Sequence, residues 1–334
     1  MANYIGSISC LLIMISNSIK KMSVVALGVL LITACVKQNA DGGELPPEEV
    51  LMKSVIAAMQ TESAKFDVEG NIQVNKPDSL INASAVIKGR QDAMGKQSHF
   101  SADIHLVSNN ASESLSLDTK IKITTLGPDE IYLMVDELIA DGENPLFSES
   151  LVKMFTGKWI TVKSNESDMG NSTVSPDPRL LRAQAKVVRV KEELPFTSID
   201  DNDTYHYSVS VDPEKLALYL EEVSKEQGEE FDSEMLMEMY NTLIASGEIW
   251  IDADTFNVRK IVWNIDSLIT QDGTVISGEM DVMFSDFNNV EPILPPDESI
   301  SITEAMGSIF GSQLQDEDDQ SIQLMLQQSI PLNE

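Results

Sequence analysis

"LSLDTKIKI", residues 115–123, decides how the chain folds. Leu115, Leu117, Ile121 and Ile123 alternate with Ser116, Asp118, Lys120 and Lys122, a period of two. In an extended strand successive side chains point to opposite faces, so this stretch carries one apolar face and one wet face. Parallel strands, covered on both sides, read instead as unbroken apolar runs. The stretch therefore belongs to an antiparallel sheet with water on one side.

The pattern repeats outward. Phe66, Val68, Ile72 and Val74 alternate with Asp67, Glu69, Asn71 and Gln73. Ile81, Ala83, Ala85 and Ile87 follow the same rule, as do Phe100, Ala102, Ile104 and Leu106. Ile131–Val135 and Trp159–Val162 continue it across a short helical segment near Ser148–Phe155. Further on, Tyr205–Val211, a hairpin of Gly247–Asp252 and Asn257–Ile265, and Thr274–Phe284 bring the expected total to about ten strands.

Helices frame this set. Pro46-Pro47-Glu48-Glu49 opens one, with acids where the helix dipole favours them, and Leu51, Val55, Ile56 and Met59 form its apolar face. Pro213 starts a second running to about Lys225, and Phe231–Ala245 reads as a third, together a late helical insertion. Ser164–Pro178 is rich in Ser, Asn, Asp, Gly and Pro and reads as a loop. Arg179–Lys191 fits helix or strand. After Pro296 the pattern dissolves into an acidic tail, residues 297–334, expected to be partly disordered and containing Asp316-Glu317-Asp318-Asp319. The fold class is α+β: one strongly curved antiparallel sheet that, having no second sheet to pair with, curls around its helices.

The N-terminus assigns a compartment. The apolar run Met22–Thr33 is too short to span about 30 Å of hydrocarbon, which needs about 20 apolar residues. It suits the core of a secretory signal preceded by Lys20-Lys21. It ends Leu31-Ile32-Thr33-Ala34-Cys35, which resembles a bacterial lipobox. The resemblance implies cleavage before Cys35 and acylation of that cysteine. Residues 1–34 are then a signal peptide, with Met14 an alternative start, and 35–45 a tether to the outer face of a cell membrane. Two or more acyl chains on one residue anchor stably, where one does not.

Composition narrows the partners. The chain carries a net charge of −31, and removal of a leader holding two lysines and no acid makes the rest more negative still. Such a surface repels nucleic acid and other polyanions.

No catalytic constellation stands out. His99, His105 and His206 are the only histidines. His99, Asp103 and His105 share one strand face, but His99 and Asp103 lie about 13 Å apart at strand rise, too far to chelate one ion. His206 sits between Tyr205 and Tyr207 with no cysteine or paired acid at nucleophile spacing. "DADT" (252–255) and "DDNDT" (200–204) lack the glycine and distant glutamate of a calcium loop and sit where turns are needed. No phosphate loop, nucleophile elbow or zinc-protease helix occurs. The reading is of a non-enzyme with no cofactor and no metal site.

Two features remain. Leu236, Met239, Tyr240 and Leu243, flanked by Met235, form a stripe that serves equally as plain core or as the lid of an apolar cavity, since thioethers re-pack around varied ligands. Arg179, Arg182, Lys186, Arg189 and Lys191 form a basic patch that either offsets neighbouring acids or faces lipid headgroups.

The order of parts carries a family resemblance. A lipobox and linker lead to a "VLMKSVIAAM" helix and a "FDVEGNIQV" strand, followed much later by "TYHYSVSVDPEKLALYLEEV", "GEIWIDADTFNVRKIVW" and "FSDFN". The chain resembles the LolA/LolB-like superfamily of envelope carriers, and more closely the LppX/LprG-type lipoproteins, over about residues 48–296. That resemblance implies a half-open β-barrel over residues 46–296, lidded by helices, with an apolar cavity for acyl chains. The implied function is binding of a lipid cargo for carriage within the cell envelope. The alternative is an envelope sensor or scaffold that uses the same half-barrel to bind a peptide or partner protein. The Ser164–Pro178 loop and the acidic tail depart from the family and leave cargo and cavity size open.

Overall fold

The structure, a computed structural model, describes residues 45–92, 96–110, 114–127, 130–141, 156–163, 187–227, 237, 240–270, 272–301 and 304. Among them one sheet of twelve strands dominates, with two helices. In chain order the elements are α1 (Pro47–Met59), β1 (Ala64–Asn75), β2 (Ser79–Asp92), β3 (Gln97–Asn110), β4 (Ser114–Thr125), β5 (Glu130–Asp141) and β6 (Trp159–Lys163). Then follow β7 (Val188–Ile199), β8 (Asn202–Val211), α2 (Pro213–Gln227), β9 (Ile244–Asp252), β10 (Val258–Ile269), β11 (Val275–Ser285) and β12 (Ile300–Ser301). The spatial order is β12-β6-β5-β4-β3-β2-β1-β11-β10-β9-β8-β7. All neighbours are antiparallel except β12 and β6, and the outermost strands do not pair with each other, so the sheet is open.

Twelve strands replace the expected ten for two reasons. Val188–Ile199 folds as β7, although its two register shifts against β8 blur the alternation that would have announced it. Ile300–Ser301, in the stretch where the sequence pattern dissolves, pairs with Ile160 and Thr161. The helix expected over Phe231–Ala245 ends earlier, because Ile244 and Ala245 already belong to β9. The segments Ser148–Phe155 and Ser164–Pro178, the acidic run and the leader lie outside the described residues.

Strand alternation sets the two faces, and α1 selects the inner one. Val50 and Leu51 of α1 join Tyr207, Val209, Ile249, Ile251, Val258, Ile261, Val282 and Phe284, from β8–β11, in the main core cluster. Lys53 places its ammonium 4.8 Å from the centre of the Phe256 ring in the β9–β10 turn. The helix thus seals one end of the inner face, where that turn lies. The outer face at the same end carries the paired row Lys65, Arg90, His99, Thr124, Tyr132 and Thr161. Residues 286–299, between β11 and β12, follow this row as a strap. Lys65 pairs with Asp286 at 2.5 Å, Arg90 reaches Glu291 at 3.9 Å, and Thr161 donates to Ser299 at 2.7 Å. Asn288 accepts the Glu62 N–H at 2.6 Å, and Ile293 is buried. The opposite end of the sheet has no such closure among the described residues.

Candidate functional site

The inner face divides into a filled part and an open part. Across β1–β6 the cross-strand rows are almost wholly apolar. One runs Phe66, Gly89, Phe100, Ile123, Leu133, Ile160; the next runs Val68, Ile87, Ala102, Ile121, Val135. Beyond them come Gly70, Ala85, Ile104, Thr119, Leu138 and then Ile72, Ala83, Leu106, Leu117, Ala140. Only Ala102 and Ile160 of these are buried; most of the others stay half-buried, and Ile72 is 44% exposed. Aliphatic side chains in a finished core are excluded from water, so among the described residues this face is short of a covering layer.

Its shape follows from residue size. Gly70, Ala83, Ala85 and Ala102 are small residues set among larger ones in these rows, a stretch called the trough. Two aromatic rings mark its margins by lying over glycines. A Cβ on Gly89 would stand 2.6 Å from Phe66 Cζ, and one on Gly247 would stand 2.6 Å from Trp263 Cε3. Trp263 and Phe66 both pack against the core cluster, so the filled part adjoins the trough at these two rings. Among the described residues these rows carry no titratable side chain, and Thr119 is their one hydroxyl; they can exclude water from an apolar ligand.

The outer face behaves as a solvated surface. Lys120 pairs with Glu137 at 2.8 Å and Lys122 with Asp136 at 2.6 Å, both across β4 and β5. His105 Nδ1 lies 2.6 Å from Asp118. His99 is different: its Nδ1 sits 2.8 Å from Thr124 Oγ1, and burial, then the charges of Arg90 and Lys122, push it below its ordinary value. His206 corrects the sequence reading, because it does have an acid. Its Nε2 lies 2.7 Å from Glu248 Oε2 on β9, and its ring stacks on Trp250 at 4.2 Å. Forty-two residues separate His206 and Glu248 in sequence, and only the β8–β9 register joins them.

The acidic motifs resolve as turns. Asp252 Oδ1 accepts the N–H groups of Asp254 and Thr255, while its Oδ2 accepts from Arg259. Asp200 and Asp201 adopt left-handed backbone at φ 50° and 63°, and Asn202 donates to the Asp200 carbonyl at 2.8 Å. Among the described residues no cluster of three metal-binding side chains occurs.

Of the residues singled out from sequence, Cys35, Arg179, Arg182, Lys186, Met235, Leu236 and Met239 lie outside the described part. Tyr240 donates its hydroxyl to the Val211 carbonyl, and burial pushes that hydroxyl up. Leu243 is half-buried and donates its N–H to Tyr240 at 3.1 Å. Arg189 has a structural partner in the buried Asp212 at 2.6 Å. Asp212 also caps α2 by accepting the Lys215 N–H, which, with Arg189, holds its carboxyl below the ordinary value. Lys191 is exposed. The trough was legible as alternation, but its openness was not.

No helix among the described residues is long and apolar enough to cross a membrane. Comparison with solved structures finds lipoprotein LppX of Mycobacterium tuberculosis at 11% identity, covering 74% of this chain and 97% of that one, with a TM-score of 0.32. LprF of Mycobacterium bovis is similar at 15% identity, 76% and 99% coverage and a TM-score of 0.33. A β-barrel-like protein of a domain of unknown function, DUF1849, from Brucella abortus is similar at 6% identity, 68% and 99% coverage and a TM-score of 0.27. No curated protein matches. Residues 145–303 match the model of DUF6612, a family of unknown function.

Proposed function

We propose that this protein binds a lipid, through its acyl chains, on the inner face of β1–β6, and carries it within a cell envelope while tethered to a membrane at an acylated Cys35. The observation that carries the reading is the trough: a wide aliphatic face, floored by small residues and left half-exposed beside a core that α1 completes. Burying an alkyl chain there contributes roughly 25 cal/mol per Å² removed from water and needs no polar group.

The sensor or scaffold alternative draws on β7, an edge strand with Phe196 55% exposed. Its two register shifts, Pro195 and the charged Lys191, Glu192 and Glu193 blunt it as a template for an added strand. Acyl binding is therefore preferred.

Native mass spectrometry of the protein purified without detergent, followed by lipid extraction, tests this. Near one diacyl lipid per chain is the expected result. A ligand-free mass that persists after incubation with vesicles overturns it.

A further inference from the structure

Strands β9, β10 and β11 keep a polar outer face along much of their length and then change together at one end. On β9, Glu248 and Ser246 are followed by Ile244; on β11, Glu279 and Ser277 are followed by Val275. On β10, Asn264 gives way, past a bulge, to Ile269. Ile269 pairs with Val275, and Ile244 pairs with Ser267, one diagonal step from Ile269. Ile244, Ile269 and Val275 are 61%, 46% and 36% exposed. Scattered exposed aliphatics are ordinary, but three on adjoining strands at one end form a patch. The inner face is apolar and open at the same end, with Ile72 exposed there. This is the end opposite α1 and the strap.

We propose that this end of β9–β11 docks on the surface of a lipid bilayer with neutral or zwitterionic headgroups, into which Ile244, Ile269 and Val275 insert. The inference rests on the acyl-binding reading and deepens it by naming where cargo enters. A second copy of the chain is a poor occupant. Three aliphatic side chains fall far short of the roughly 1,600 Å² of a stable interface, and the patch lacks the Trp, Tyr and Arg anchors that dominate protein contacts. A bilayer asks less, since a few inserted aliphatics give weak, reversible adhesion. Charge selects the headgroup: among the described residues exposed Asp78, Asp266 and Asp272 flank the patch against Lys76, so anionic lipid is repelled. At this end the inner face presents the exposed Ile72 to an alkyl chain leaving the bilayer.

Hydrogen–deuterium exchange on the full chain, with and without phosphatidylcholine vesicles, provides the test. The readout is local, so an acyl anchor elsewhere does not mimic it. Exchange in the turns at residues 242–243 and 272–274 should slow about tenfold on adding vesicles. The variant Ile244→Ser/Ile269→Ser/Val275→Thr should lose that protection, and replacing about a third of the lipid with phosphatidylglycerol should weaken it. If the triple variant unfolds by circular dichroism, Ile244→Ser alone serves. Unchanged turns, protection confined to other segments, or protection that grows with protein concentration in the absence of vesicles each overturn the proposal. Uptake of a monomeric fluorescent fatty acid from solution separates the two readings. Uptake without vesicle protection sinks docking alone, whereas protection without uptake sinks acyl binding alone.

Discussion

Asp252 and Arg259 form a closed ion pair at the β9–β10 turn, with Arg259 Nε and one terminal nitrogen donating to the same carboxylate oxygen at 2.9 and 2.7 Å. The other oxygen takes the turn's own N–H groups from Asp254 and Thr255, at 3.1 and 2.8 Å. Both side chains are largely shielded from water. Removing the acid leaves a buried guanidinium without its counter-charge. Asp252→Asn should cost about 3–5 kcal/mol, read as a lower midpoint in urea unfolding.

The same carboxyl gives an acid limb. Burial alone would raise it, but the Thr255 N–H and the Arg259 guanidinium more than offset that and hold it below its ordinary value. A depressed folded value means stability present above the unfolded carboxylate value of about 3.9 and lost as pH falls through the lower folded one. Unfolding free energies between pH 5 and pH 2 should fall more steeply in the parent than in Asp252→Asn.

His99 contributes at milder pH, also with less stability on acidification. Its folded value lies below 6.5, so the unfolded chain binds the proton more readily. The native state keeps its full advantage above about pH 6.5, loses it as pH falls toward the folded value, and is level below that. His99→Gln, which can still reach Thr124, should flatten this part of the stability profile; an unchanged profile would assign the slope elsewhere.

Gly247 is held by the Trp263 ring. Gly247→Val should drive the indole off the strand and cost about 1–3 kcal/mol in denaturant melts, with a change in tryptophan fluorescence.

Ala85 tests the trough directly. It lies half-buried between Gly70 and Ile104, so Ala85→Phe fills the floor without entering the α1 core. Bound fatty acid should weaken about tenfold or more, equivalent to roughly 1.4 kcal/mol, with a urea midpoint close to the parent's.

The proposed acyl anchor at Cys35 is checked by fractionation. Cys35→Ser should move the protein from the membrane fraction into the soluble one.

Much of this architecture was legible from alternation. "LSLDTKIKI" and its neighbours announced strands and assigned a face to each residue, because a strand's side-chain period is intrinsic to the backbone. Proline and acids announced α1 for equally local reasons. β7 was not legible, since bulges break its period, and neither was β12, whose two residues pair only because the strap delivers them to β6.

What the sequence by itself determined, then, was which residues face together along each strand, and that the faces are aliphatic on one side and charged on the other. Only the tertiary structure decided which strands lie side by side. It joined His206 to Glu248, placed α1 over β8–β11 and left the aliphatic rows of β1–β6 half-covered. It also gathered Ile244, Ile269 and Val275 from three strands at one end of the sheet. The physical reason is that local periodicity costs nothing to read, whereas cross-strand register and helix placement depend on contacts between residues up to hundreds of positions apart.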